Sequence, residues 1–209
     1  MLVIERFINE LMTSNCYIIH DNTTHNCIIV DPGTENCKEV IEYVDKNKLN
    51  LDYILLTHEH TDHTWGCNTL IDKYNSSKII CSQICKDALP KEGRMYFQFY
   101  YDNPDYEYAV KRVDIVLEDI GYVLKWDGYT IHFISTPGHS DGSICFSIEN
   151  NLFTGDTIMQ YKPVIPKKNG SLEKFKKSVN DILNRFSLNS IVYPGHGELF
   201  YLREYSLIV

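Results

Sequence analysis

Thr57-His58-Glu59-His60-Thr61-Asp62-His63 is the stretch on which the reading of this chain turns. It follows the apolar run Leu51-Asp52-Tyr53-Ile54-Leu55-Leu56, which is short, branched and bounded by polar residues, so it reads as a buried strand. The histidines then stand at the carboxyl end of that strand. Clustered imidazoles repel one another when protonated and need partners when buried neutral, whereas neutral imidazole is among the commonest ligands of a divalent metal. A bound metal is the simplest remedy. His58 and His60 are two apart, so in a turning segment both rings can reach one ion, with Asp62 and His63 just beyond. The zincin helix instead sets its histidines four apart on one helical face, and this pattern reads as a loop feeding two adjacent metals. The bland alternative is a polar surface run after a strand, and distant partners decide between the two.

Composition sets the frame for that choice. A chain of 209 residues, 44% hydrophobic and 23% charged, is long enough for one sizeable core, and a single domain over 1–209 is the default. Twenty basic against 28 acidic residues leave a net charge of -8, which opposes broad attraction to phosphate backbones or anionic membranes. Neither nucleic acid nor membrane is the expected partner. A small-molecule substrate is, with a homodimer as the oligomer to test. Lys162, Lys167, Lys168, Lys174, Lys176 and Lys177 form a local basic run, read as a solvated helix face and its lead-in loop. The start Met1-Leu2-Val3-Ile4-Glu5-Arg6 lacks the features of a secretory signal and no apolar segment reaches bilayer length, so the expected location is cytoplasmic. The seven scattered cysteines, with only Cys81 and Cys85 closer than ten residues, form neither a disulfide framework nor a metal clip. They read as reduced, mostly buried small residues.

Strand-like runs at 2–7, 15–20 and 27–30 open the chain as a meander closed by Asp31-Pro32-Gly33. Residues 35–47 carry Val40, Ile41 and Val44 at helical spacing, and Thr64 is the expected cap of a helix over 65–74, followed by a strand at 78–81. Between Gly93 and Tyr108 the aromatics Tyr96, Phe97, Phe99, Tyr100, Tyr101, Tyr106 and Tyr108 mix with acids without a clean period. That patch reads either as a packed helical insertion or as a lid or dimer surface. A second meander then runs through 113–117, 122–126 and 129–135, with Asp127-Gly128 as a hairpin turn, and through 144–148 and 152–153. A Ser171-capped helix over 172–186 and a strand over 190–193 complete it. Consecutive hairpins demand antiparallel pairing, so two mixed β-sheets facing each other with helices outside fit better than a doubly wound parallel sheet.

Three further strands end in glycine turns that each deliver a metal-ligand type. Thr136-Pro137-Gly138-His139-Ser140 presents His139, Phe153-Thr154-Gly155-Asp156-Thr157 presents Asp156, and Tyr193-Pro194-Gly195-His196-Gly197 presents His196. Glycine beside a ligand permits unusual backbone angles and close approach to a crowded site. Taken in order with Val30-Asp31-Pro32-Gly33 and the histidine stretch, these motifs make the chain resemble the metallo-β-lactamase superfamily, and within it the glyoxalase II-like single-domain hydrolases. The resemblance implies an α/β, four-layer αββα sandwich. It implies that His58, His60 and His139 hold one metal, that Asp62, His63 and His196 hold a second, and that Asp156 bridges them. Two divalent ions follow, Zn2+ first and iron or manganese after it, with a bridging hydroxide attacking a small acyl thioester and Asp62 as its proton acceptor. The alternatives within the superfamily are a mononuclear iron persulfide dioxygenase, a lactonase and a β-lactamase.

Departures from the family pattern narrow the substrate. Only 13 residues (209 − 196) follow His196, so the glutathione-binding helical extension of glyoxalase II proper is not expected here. Where smaller relatives carry Gly-Arg-x-Asp-x-Pro, this chain has Gln160-Tyr161-Lys162-Pro163-Val164-Ile165-Pro166-Lys167, without the arginine. No basic RNA-binding arm is present, and His60 stands where flavin-linked relatives have glutamate.

Overall fold

The structure, a computed structural model, describes residues 1–100, 102, 105–117 and 121–206, the side chains at 92–96 and 98–100 excepted. Tyr96, Phe99, Tyr100 and Tyr101 of the aromatic patch therefore lie, as side chains, outside the described residues. The chain separates into two compact units, Met1–Val116 and Leu117–Val209.

The first unit holds β1 (Leu2–Ile8), β2 (Asn15–Asp21), β3 (Asn26–Val30), α1 (Lys38–Lys46), β4 (Asn50–Leu55), α2 (Thr61–Thr64), α3 (Cys67–Lys73), β5 (Lys78–Ser82) and α4 (Gln83–Tyr100), and its sheet is completed by β6 (Ile115–Leu117) at the unit boundary. The sheet order is β1-β2-β3-β4-β5-β6. The first three strands pair antiparallel, while β3, β4 and β5 run parallel. This mixture follows from the connections: short polar turns join β1 to β3, and helices carry the chain back between β3, β4 and β5. Parallel pairing of Val30 with Leu55 and of Leu55 with Ile80 sets the carboxyl ends of β3, β4 and β5 side by side. The histidine stretch begins there.

Val40 and Val44 of α1 and Leu70 and Ile71 of α3 pack with Ile29, Ile54, Leu56 and Ile79 in a core that also takes in Cys16, Cys27, Cys37, Cys67, Cys81 and Cys85. Helix α1 starts at Lys38 rather than Glu35, because Cys37 adopts a left-handed backbone (φ 47°) that no helix can contain. Thr64 is not the expected cap. It lies inside α2, its hydroxyl donating to the His60 carbonyl, and α3 begins after Gly66, whose N–H is drawn to the Pro32 carbonyl at 2.7 Å. A Cβ on Gly66 would overlap Cys37 Sγ, so glycine is required at this break.

Helix α4 extends the expected insertion ten residues towards the amino terminus. Pro90 and Gly93 inside it hide the helix from a reading of periodicity. Phe97 and Tyr108 are buried with Leu11 against Trp65, Tyr106 and Val110, so the described part of the patch is a packed insertion.

The second unit holds β7 (Val123–Trp126), β8 (Tyr129–Ser135), β9 (Ile144–Ile148), β10 (Asn151–Gly155), α5 (Leu172–Arg185), β11 (Ile191–Pro194) and β12 (Phe200–Tyr201), closed by a 3-10 turn at Leu202–Glu204. Its sheet order is β12-β11-β10-β9-β8-β7, antiparallel except for β10 with β11, which α5 connects. Asp127 (φ 51°) and Gly128 (φ 83°) form the β7–β8 turn with the two positive angles that an Asp-Gly hairpin favours. Ser171 caps α5 as expected, accepting from the Lys174 N–H. Phe175, Val179 and Ile182 bury that helix against Ile134, Cys145, Leu152 and Val192. The two-residue β12 was not expected from the sequence, being too short to show alternation. Both sheets are thus mixed and carry helices, the α/β architecture anticipated from the hairpins.

Candidate metal centre

In the first unit the loop after β4 runs through Thr57 into α2, and His58, Asp62 and His63 are all buried. Ligand-type atoms of His58 and His60, of His58 and His63, and of Asp62 and His63 lie within 4.8 Å of one another. His58 Nε2 is 3.1 Å from His60 Nδ1, and the His58 and His63 ring centroids are 4.2 Å apart. Asp31 at the end of β3 organises the cluster. One of its oxygens accepts from the Thr57 N–H (2.8 Å), and the other accepts from the Thr57 hydroxyl (2.6 Å) and from His63 Nδ1 (3.0 Å). Because the Thr57 proton goes to Asp31, the Thr57 oxygen accepts from His58 Nδ1 at 3.0 Å. A single carboxylate therefore sets both tautomers, leaving the lone pairs of His58 and His63 on Nε2.

The loop is fixed from behind as well. Ser14 Oγ donates to the Asp62 carbonyl, Asn9 Nδ2 donates to Ser14 Oγ and to the Asp31 carbonyl, and Tyr108 donates to the Thr64 carbonyl. A Cβ on Gly33 would overlap the Asp62 carbonyl oxygen, which explains the glycine of Asp31-Pro32-Gly33.

In the second unit His139 follows β8, Asp156 follows β10 and His196 follows β11, each after a strand that ends in a turn. His139 and Asp156 are buried. His139 Nδ1 donates to the Val164 carbonyl at 2.8 Å, which again leaves the lone pair on Nε2, 3.3 Å from Asp156 Oδ2. His196 Nε2 stands 3.6 Å from the same Asp156 oxygen. Gly138 (φ 146°) packs its α-carbon on Phe175 of α5, where a Cβ would overlap backbone, and this seats the His139 turn.

Each unit thus sets imidazole Nε2 atoms beside a carboxylate: His63 Nε2, its lone pair fixed by Asp31, lies 3.6 Å from Asp62 Oδ2 in the first, and His139, its lone pair fixed by Val164, faces Asp156 together with His196 in the second. Two acceptors so close in a poorly hydrated place require positive charge beside them. Histidine nitrogens with carboxylate oxygens and no thiolate suit zinc, iron or manganese, so the residues present fit a divalent cation. All seven residues expected from the sequence sit in one or other cluster, four in the first unit and three in the second. Asp31, Thr57 and the Val164 carbonyl were given no role by the sequence reading. A short polar residue ending the strand beside the histidine strand was the available signal for Asp31.

Among the described residues no helix is long and apolar enough to cross a membrane. The family model described as the metallo-beta-lactamase superfamily matches residues 10–196. A probable metallo-hydrolase of Methanocaldococcus jannaschii is 31% identical over 198 residues, covering 90% of this chain and 89% of its own length. The probable polyketide biosynthesis zinc-dependent hydrolase BaeB of Bacillus velezensis is 29% identical over 189 residues, covering 90% and 75%. Among solved structures, the crystal structure of BLEG-1 B3 metallo-beta-lactamase superposes with a TM-score of 0.87 at 22% identity, covering 97% of this chain and 95% of that one, a likeness of fold. Ordered motifs, two mixed sheets and a family match over most of the length agree: the chain belongs to the metallo-beta-lactamase superfamily, whose members are metal-dependent hydrolases.

Proposed function

We propose that the two clusters are the halves of one dinuclear centre and that the protein hydrolyses a small acyl thioester. In this reading His58, His60 and His139 hold one ion, Asp62, His63 and His196 hold the second, and Asp156 bridges. The observation that carries it is the position of Asp156: one of its oxygens lies 3.3 Å from His139 Nε2 and 3.6 Å from His196 Nε2, two histidines assigned to different ions. A bridging carboxylate needs that place, because it offsets charge between two neighbouring cations. When bound, such ions polarise a carbonyl oxygen and bring the pKa of water towards neutrality. The chain supplies the rest. In this reading Asp62, its backbone carbonyl held by Ser14, takes the proton that water gives up. Asp31 and Val164 keep the imidazoles in the tautomers that coordinate. Zinc is the first candidate, supported by the zinc-dependent hydrolase named among the relatives, and the thioester is supported by the glyoxalase II-like order of motifs.

The test is hydrolysis by the metal-loaded protein of S-lactoylglutathione, other acyl thiols, lactones and a chromogenic β-lactam. Turnover of an acyl thiol above the others is expected, and no hydrolysis of any with two metals bound overturns the reading. Metal analysis tests the ligand assignment. Asp156→Ala should lower the content of both ions and His196→Ala mainly one, so parental metal content in Asp156→Ala contradicts the bridge.

A further inference from the structure

The loop from β10 to α5 joins the two histidine turns of the second unit. Three attachments hold it there. The Val164 carbonyl accepts from His139, the Ser171 N–H donates to the Gly138 carbonyl at 2.8 Å, and the Tyr161 ring lies against Gly197, where an added Cβ would sit 3.1 Å from Tyr161 Cε1. Inside the loop, Pro163 is buried and Ile165 packs on the α5 core, while the Gly170 N–H closes a turn onto the Pro166 carbonyl at 2.8 Å. This seating turns the intervening residues outward: Tyr161, Lys162, Val164, Lys167 and Lys168 are exposed. Residues 157–172 hold three lysines and no acid, in a chain whose net charge is -8. A positive loop on an acidic protein, tied at several points to the turns that present His139 and His196, is placed to meet an anionic group on whatever reaches them.

We propose that the segment 160–168 is the subsite for the thiol half of the substrate, and that this thiol carries phosphate groups. The inference rests on the thioester reading and deepens it. Lys162 and Lys167 meet the phosphates as mobile point charges, which tolerates a flexible carrier better than a fixed fork would. The half-exposed ring of Tyr161, 48% accessible, gives the arm between phosphate and sulfur a flat apolar wall.

The probe is desulfo-coenzyme A, which has the phosphates and the arm but no sulfur to bind a metal. Calorimetry on the full-length protein should show saturable binding that weakens with added salt and falls about tenfold in K162E/K167E, the effect expected when two exposed attractions become repulsions. Metal content and thermal unfolding of the variant should match the parent. Hydrolysis of acetyl-coenzyme A and of S-acetyl-N-acetylcysteamine, the same reacting end without phosphate, gives the second arm, in which the charge reversal should raise KM for the first and spare the second. Absence of desulfo-coenzyme A binding, or binding that K162E/K167E leaves unchanged, overturns the proposal and returns the lysines to a solvated loop. Activity on the neutral thioester bears on the hydrolase reading alone, so the two can fail separately.

Discussion

At the scale of single residues, Asp31 carries more of the site than its place in the chain suggests. It is no expected ligand, yet its two oxygens accept three hydrogen bonds that orient Thr57, His63 and, through Thr57, His58. In Asp31→Asn the amide offers one acceptor and brings a donor against the Thr57 hydroxyl or His63 Nδ1, so at least one imidazole loses its fixed tautomer. Loss of such a partner behind a metal ligand costs roughly 10–100-fold in metal affinity. Competition with a chromophoric chelator should show that loss with the fold intact by circular dichroism, and parental affinity would mean that the ring orientations are set elsewhere. The ligands themselves were legible in sequence because each follows a strand-ending turn with a characteristic residue pattern. The role of Asp31 was not, because it depends on β3 lying parallel to β4, where the Asp31 N–H reaches the Leu55 carbonyl at 3.0 Å. Nothing in the spacing between residues 31 and 57 announces that adjacency.

Elements came through unevenly, for physical reasons that differ case by case. Strands bounded by Asp-Gly or Pro-Gly turns were legible almost to the residue, since those dipeptides act locally. Helix α4 was legible only in its second half, because Pro90 interrupts the pattern and the hydrophobic partners come from distant segments, Leu11 and Trp65 among them. The aromatic patch shows how tertiary context settles what composition leaves open. Phe97 is 5% exposed, and its ring packs tilted against Tyr106 and Trp65, with centroids 4.3 Å and 4.9 Å away, Trp65 being two residues after His63. Phe97→Ala should therefore act on the fold, lowering unfolding free energy by about 3 kcal/mol as large-to-small core changes do. Tyr108→Phe, which forfeits the hydrogen bond to the Thr64 carbonyl, should cost about 1 kcal/mol. Denaturant melts of both variants give these values directly. A raised KM in Phe97→Ala at parental stability would restore the lid.

For the molecule as a whole, the cysteines connect composition to stability. All seven thiols are free and buried, as their scattered spacing led us to expect, and none lies in the described metal clusters. Burial pushes the thiols of Cys27, Cys37 and Cys145 up to about 12, and those of Cys16, Cys67 and Cys85 are also raised, again chiefly by burial. In the unfolded chain the same thiols ionise near pH 8.5. A group whose pKa rises on folding stabilises the native state fully below its unfolded pKa and loses that contribution as pH climbs through the folded value. Stability should therefore show no thiol-dependent loss up to about pH 8.5 and then fall, each thiol removing about 1.4 kcal/mol per pH unit once the unfolded form is ionised. With several thiols acting together the decline should be steep well before pH 12. Urea melts at pH 8 and pH 10, with reductant and metal concentration held constant, measure it. Cys145→Ala, remote from the histidine stretch in sequence and packed in the α5 core, should make the decline shallower by one thiol's share. A stability that stays flat from pH 8 to pH 10 would mean that these thiols meet solvent in the native protein, against their complete burial.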